Sequence, residues 1–220
     1  MRRPLSTGLL IFISGPSGVG KSTVCRRLAT VLPAEFALSA TTRQPKPQDA
    51  IAKKYLFVEE PEFRRMLEAG AFLEYAHVFG NWYGTLKKPV EEALADSRIV
   101  LLEIDVQGAI QVHKLFPAAM GVFILPPGEA DLLQRLTDRG RDDPATIRRR
   151  FTEAQQEIRT AQASGVYDLM VVNENDGVEK TVNTIKRAVR KHRRVRPAAR
   201  PMKKVTNPTR PRTNRRRSHP

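Results

Sequence analysis

The residues Gly15-Pro16-Ser17-Gly18-Val19-Gly20-Lys21-Ser22 follow the pattern G-x-x-x-x-G-K-[ST]. Glycines let backbone N–H groups turn inward and converge on phosphate oxygens. Lys21 then reaches the β and γ phosphates, and the Ser22 hydroxyl is placed to ligate Mg²⁺. A helix starting near Lys21 adds the positive end of its dipole. The bland alternative is a glycine-rich turn. Against it stands the context: an apolar run, Leu9–Ser14, precedes the loop, and a helical pattern, Lys21–Leu32, follows it. Such a loop indicates a nucleoside triphosphate and phosphoryl transfer. Taken alone, it does not separate an ATPase, a GTPase and a small-molecule kinase.

The elements that position this loop are legible as alternation. Leu9–Ser14 reads as a buried parallel strand, and Pro33 ends the helix after it. Ile99–Ile104 is a second buried strand, Met120–Leu125 a third, and Tyr167–Val172 a fourth. Helices are expected over Gly108–Phe116, Leu132–Arg139, Pro144–Ala163 and Val178–Arg193. Strands alternating with helices indicate an α/β fold, a parallel sheet with helices on both faces. Residues 39–87 break the rhythm and read as a small mixed insertion, with short pieces at Tyr55–Phe57 and Ala71–Val78. Asp105 follows the second strand, at the carboxyl edge where such sheets bind ligands. Glu103 lies on the same strand face, two residues earlier. A strand-end acid can instead cap the next helix.

Composition bounds the class. The 220 residues are 40% hydrophobic and 28% charged, an ordinary globular balance. The single cysteine, Cys25, excludes an internal disulfide and reads as a small core residue. No run approaches a membrane span, and Leu9–Ile13 is too short for a signal-peptide core, so a cytoplasmic enzyme is the expectation. The net charge is +15, but eleven Lys or Arg and no acid fall between Arg193 and Pro220, leaving +4 for residues 1–192. Residues 194–220 combine prolines, arginines and almost no large apolar groups. A disordered basic tail is expected there, solubilising or in weak contact with nucleic acid or another polyanion.

Four further segments resemble the guanylate kinase family. They are Ser39-Ala40-Thr41-Thr42-Arg43, Phe72-Leu73-Glu74-Tyr75-Ala76, Gly80-Asn81-Trp82-Tyr83-Gly84-Thr85 and Leu101-Leu102-Glu103-Ile104-Asp105-Val106-Gln107-Gly108. The resemblance runs from about Leu9 to Arg193. It implies a P-loop NTPase-type core over residues 8–38 and 88–193, a GMP-binding subdomain over 39–87 and a helical lid over about 137–155. It implies phosphoryl transfer from Mg·ATP to GMP and dGMP. On this resemblance Arg43, with Lys46, Tyr55 and Tyr83, would grip the GMP phosphate. Glu74 would read guanine, with Ser39, Thr85 and Asp105 around the base. Arg139 and Arg150 would be lid arginines at the transferring phosphoryl group. Asn173 would lie near the adenine, although its place after a strand also suits a turn. The chemistry is consistent at Glu74: guanine presents N1–H and N2–H₂ as adjacent donors, and a carboxylate accepts both. Adenine would leave that carboxylate unpaired, a strong basis for rejection.

The chain departs from the family's usual pattern in one loop. Where a second arginine is usual it has Lys46; Gln48, Asp49 and Ala52 replace a glycine, a glutamate and a glycine; Lys54 replaces the aspartate before Tyr55. The lid carries Arg141, Pro144 and Ala145 where threonine and glutamates are usual. Two other readings share the loop. A P-loop kinase of a phosphorylated sugar would have no use for Glu74. A non-catalytic guanylate-kinase-like binding module would tolerate loss of Lys21 and Ser22, which are both intact.

Overall fold

The computed structural model describes residues 8–45, 54–78, 80–138 and 143–195. Its first sheet contains β1 (Leu9–Ser14), β2 (Ala34–Phe36), β7 (Ile99–Glu103), β8 (Met120–Leu125) and β9 (Leu169–Val172), in the order β2-β7-β1-β8-β9. Each pairing is parallel. Every residue of β1 is buried, as a central strand covered on both faces requires. Its side chains alternate between two cores. Leu9, Ile11 and Ile13 pack with Val24, Cys25 and Leu28 of α1 (Lys21–Val31) and with Val182, Ile185 and Val189 of the final helix, α7 (Val178–Val195). Leu10 and Phe12 face the other way. They pack with Val90 and Ala93 of α3 (Lys87–Ala95) and Ala109 and Val112 of α4 (Val106–Leu115). Full burial of one such side chain contributes about 1.5–3 kcal/mol, so this two-sided strand anchors the loop that follows it.

The alternating α/β architecture matches the expectation. The helix after the loop stops at Val31, and the second strand at Glu103. Ala34–Phe36 forms a strand that the sequence pattern does not announce, because three half-buried residues at a sheet edge give too short a pattern. Cys25 is a fully buried core residue, and burial pushes its thiol well above the ordinary range.

The insertion forms a second sheet. It contains β3 (Ser39–Thr41), β4 (Tyr55–Phe57), β5 (Phe72–Val78) and β6 (Asn81–Leu86), ordered β4-β3-β6-β5. β3 runs parallel to β4, while β6 is antiparallel to both β3 and β5. A helix absent from the sequence reading, α2 (Glu60–Glu68), joins β4 to β5. Pro61 in its first turn and the acids Glu60 and Glu62 are ordinary helix-start signals. Phe63 of α2 stacks on Phe72 at 4.5 Å and on Trp82 at 5.8 Å, which fastens the helix to the sheet. α5 (Glu129–Thr137) and α6 (Pro144–Ser164) share a small core of their own: Leu132, Leu136 and Ala154, with Ile147 and Phe151 against them. Asp143 caps α6 by accepting from the Ala145 and Thr146 N–H groups. Among the described residues no helix is long and apolar enough to cross a membrane.

Candidate active site

A cleft of about 1010 Å³ opens between the phosphate loop, the end of the β5–β6 hairpin and α6. Gly15–Gly18, Gly20, Lys21 and Ser22 line it, as do Asp105, Arg149 and Glu157. The Lys21 ammonium donates to the Gly15 carbonyl at 3.0 Å and so lies folded across its own loop. Gly20 has φ +89°, and a Cβ there would approach the Asn173 amide nitrogen to 2.8 Å, so conformation and space both call for glycine. Val19, between the two glycines, is fully buried and pins the loop to the core.

Asn173 performs a task that neither sequence expectation contained. It is buried behind the loop, where its amide donates to the Val19 carbonyl at 2.8 Å and its carbonyl accepts from the Thr181 hydroxyl at 3.1 Å. Arg135, which the sequence reading missed, donates to the main-chain carbonyl of Asn173 at 2.9 Å, to the Asn175 side chain at 2.8 Å and to the Val19 carbonyl of the phosphate loop at 3.4 Å. No motif marks Arg135, because its role depends on two loops far apart in the chain. The Ser22 hydroxyl donates to one oxygen of Glu103, and the Lys54 ammonium pairs with the other at 2.7 Å. Burial raises the Glu103 carboxyl, but the Lys54 and Lys21 charges and the two hydrogen bonds outweigh it and hold the group below the usual range.

The residues expected around the guanine base meet on the second sheet, with Asp105 at the edge of the first. Ser39 and Thr85 are cross-strand partners with hydroxyls 3.4 Å apart. The Thr85 N–H donates to Glu74 at 3.1 Å, and the Thr85 hydroxyl donates to the same carboxylate oxygen. A shift in the β5–β6 register between Phe72 and Glu74 makes this possible. Leu73 and Glu74 are adjacent and both buried, at the point where the pairing register shifts. The other carboxylate oxygen rests against Gly108 of α4, where a Cβ would collide with it. Burial raises the Glu74 carboxyl to about 7; the Thr85 donors pull it down and the Asp105 charge pushes it up. Asp105 caps α4 by accepting from the Gly108 N–H at 3.0 Å, and it also lines the cleft. The cap therefore leaves Asp105 on the cleft wall.

Arg43, Tyr55 and Tyr83 form a second cluster on the same sheet. The Arg43 guanidinium lies 5.3 Å from the Tyr55 ring and 5.4 Å from the Phe57 ring, and the rings of Tyr55 and Tyr83 are 6.4 Å apart. The guanidinium donates to the Gln44 carbonyl at 2.7 Å.

Lys46 and Arg139, both expected at phosphates, lie outside the described residues, as do the altered loop positions from Gln48 to Lys53 and Arg141. On α6 the arginine that lines the cleft is Arg149; Arg150 follows about 100° further round the helix and is partly buried. Glu157, two turns on, also faces the cleft and was not foreseen. Burial raises its carboxyl to about 7, the Lys21 ammonium lowers it and Asp105 raises it. An isolated helical glutamate gives no sequence signal of such a position.

The guanylate kinase family model matches residues 7–192. The chain belongs to the guanylate kinase family. Relatives of that family include the guanylate kinase of Dechloromonas aromatica, 45% identical over 83% of this chain and 89% of that protein. That of Trichodesmium erythraeum is 41% identical over 82% of this chain and 95% of its own length. In structure the chain is similar to the guanylate kinase of Anaplasma phagocytophilum, with a TM-score of 0.68 and 31% identity over 84% of this chain and 86% of that one.

Proposed function

We propose that this chain transfers the γ-phosphoryl group of ATP to GMP, giving ADP and GDP. It is an ATP:GMP phosphotransferase, a nucleoside monophosphate kinase. The observation that carries the acceptor assignment is Glu74: a buried carboxylate, held by Thr85 through one oxygen, with Ser39 and Asp105 beside it. Guanine offers it two adjacent donors, and adenine offers none in that place. A kinase of phosphorylated sugars would not need a buried base-reading carboxylate.

The residues divide the work. Gly15–Ser22 cradles the ATP phosphates, with Lys21 on the β and γ oxygens. Asn173 acts on ATP through the loop it braces. Arg43, Tyr55 and Tyr83 hold the GMP phosphate, with Lys46 as a further cation; Lys46 supplies a point charge where an arginine would supply a planar fork. Arg149, Arg150 and Arg139 are the lid cations that offset repulsion between the two phosphate groups. No general base is needed, because the acceptor phosphate oxygen is already anionic and positioning dominates.

The Ser22 hydroxyl beside the Glu103 carboxylate offers the hard oxygen donors that Mg²⁺ prefers, and ATP phosphates and water complete such a shell. When bound with ATP, the ion neutralises charge on the transferring phosphoryl group. Ser22 would hold it directly, and Glu103 would orient the Ser22 hydroxyl.

The basic segment after Val195 lies outside the described residues. It continues from a basic stretch of α7 in which Lys180, Lys186, Arg187 and Arg190 line one shallow hollow. Counterion release makes this region suited to weak polyanion contact. The family's activity and the absence of a membrane-crossing helix among the described residues support a cytoplasmic setting.

The test is ADP release from ATP and Mg²⁺ with GMP, dGMP, AMP, CMP and UMP in turn. GMP and dGMP should be the acceptors. Equal kcat/KM for AMP and GMP would overturn the assignment. Truncation after Val195 should leave kcat unchanged and remove any salt-sensitive retention on nucleic acid.

A further inference from the structure

Lys54 is the departure from the family pattern that the structure describes in most detail. It immediately precedes β4 of the insertion, where its carbonyl accepts from the Ser39 N–H at 3.0 Å. Its ammonium crosses to the core and meets Glu103 at the end of β7, at 2.7 Å. Neither partner is a surface group: their side chains are 15% and 12% exposed. The Lys54 ammonium also lies 5.0 Å from the Phe36 ring and 5.6 Å from the Tyr55 ring, so it is walled in by aromatic faces. Glu103 thus receives a cation from the acceptor-side insertion on one oxygen and the Ser22 hydroxyl on the other.

We propose that Lys54 links the two nucleotide sites electrostatically: its ammonium competes with the divalent cation accompanying ATP for the charge of Glu103. This rests on the reading of Ser22 and Glu103 as the metal-side pair. A carboxylate already neutralised by an ammonium attracts a second cation less, and two cations sharing it repel each other. Coupling of this kind is reciprocal. The cation weakens the hold of Glu103 on Lys54, and therefore the tie between β4, which bears Tyr55, and the core. Lys54 in turn weakens the cation. A lysine here thus keeps the metal side from saturating independently of the state of the acceptor subdomain.

The experiment measures Mn²⁺ affinity by calorimetry or paramagnetic resonance, on the full chain with a non-hydrolysable ATP analogue and no GMP. Lys54→Met keeps an apolar stem against Phe36 and removes the charge. It should tighten Mn²⁺ roughly fivefold, while Lys54→Arg stays within twofold of the wild type. In the same variant the GMP dissociation constant should rise, the opposite direction. A purely structural role for Lys54 would weaken both ligands or neither. Glu103→Gln should weaken Mn²⁺, and adding Lys54→Met to it should give no gain. If Glu103→Gln weakens Mn²⁺ but a folded Lys54→Met binds it no more tightly than wild type, the link is refuted and the metal-side reading stands. If Glu103→Gln leaves Mn²⁺ affinity unchanged, the metal-side reading and the link fail together.

Discussion

The phosphate loop occupies one unbroken stretch, Gly15–Ser22, and presents mostly backbone, whereas the acceptor side as proposed draws Ser39, Tyr55, Glu74, Tyr83 and Thr85 from four strands of a separate sheet. The loop's geometry comes from glycine dihedrals and from a buried Val19. The acceptor side depends on side chains whose directions follow from register, and in the case of Glu74 on a shift of that register. A site made of backbone tolerates variation in what surrounds it. A site made of side chains fails when one carboxylate or one hydroxyl moves. Of the altered positions from Lys46 to Lys54 the structure describes Lys54, which has found a partner in the core rather than on its own sheet.

The largest effect should come from breaking the loop. Lys21→Ala should lower kcat by about a thousandfold or more, since in the proposed reaction this cation stabilises the charge of the transferring group. GMP binding measured by calorimetry should persist, because the two sites rest on different sheets. Loss of GMP binding in a folded Lys21→Ala protein would show that the halves are not separable.

Glu74→Gln should produce the mirror image. A glutamine amide can accept only one of the two guanine donors and turns an N–H₂ toward the other. The expected fall in kcat/KM for GMP is at least ~100-fold, about 3 kcal/mol, with the KM for ATP nearly unchanged. A change of less than fivefold would remove Glu74 from the guanine-reading role.

The pH dependence sharpens the same contrast. Burial, aided by the Asp105 charge, raises the Glu74 carboxyl to about 7. For stability, a raised carboxyl contributes below its unfolded value and loses that contribution as pH rises through about 7. For GMP the sign is reversed, because the ionised form accepts both guanine donors. GMP binding near pH 7 should therefore release about half a proton per site, read by calorimetry in buffers of different ionisation enthalpy. Glu74→Gln should abolish that release. Proton release of the same size in the variant would assign the titration elsewhere, with Glu157, also raised to about 7, the group to examine next.

The smallest effect should follow from Asn173→Ala. Removing the amide leaves the Val19 carbonyl and the Thr181 hydroxyl short of a partner. The expected cost is about 1–3 kcal/mol in urea unfolding, together with a several-fold rise in the KM for ATP. The KM for GMP should not move. If it rises in parallel, Asn173 supports the whole core rather than the loop.

The sequence by itself determined the parallel core and the phosphate loop. Both are written in contiguous residues: apolar runs of strand length, a glycine-rich turn, then a helical period. It also indicated the acceptor residues as types, through four short motifs that resemble a family. It could not place them, because Ser39, Glu74 and Thr85 meet only when three strands pair in a particular register. The bulge that buries both Leu73 and Glu74 leaves no mark on composition or period. The same holds for the residues first seen in three dimensions. Arg135 bridges two loops, Glu157 faces Lys21 across a cleft, and Lys54 crosses from the insertion to a core carboxylate. Each of these contacts joins segments separated by tens of residues or more. Local propensity carries no information about such pairs; burial and charge decide them once the chain has closed around them.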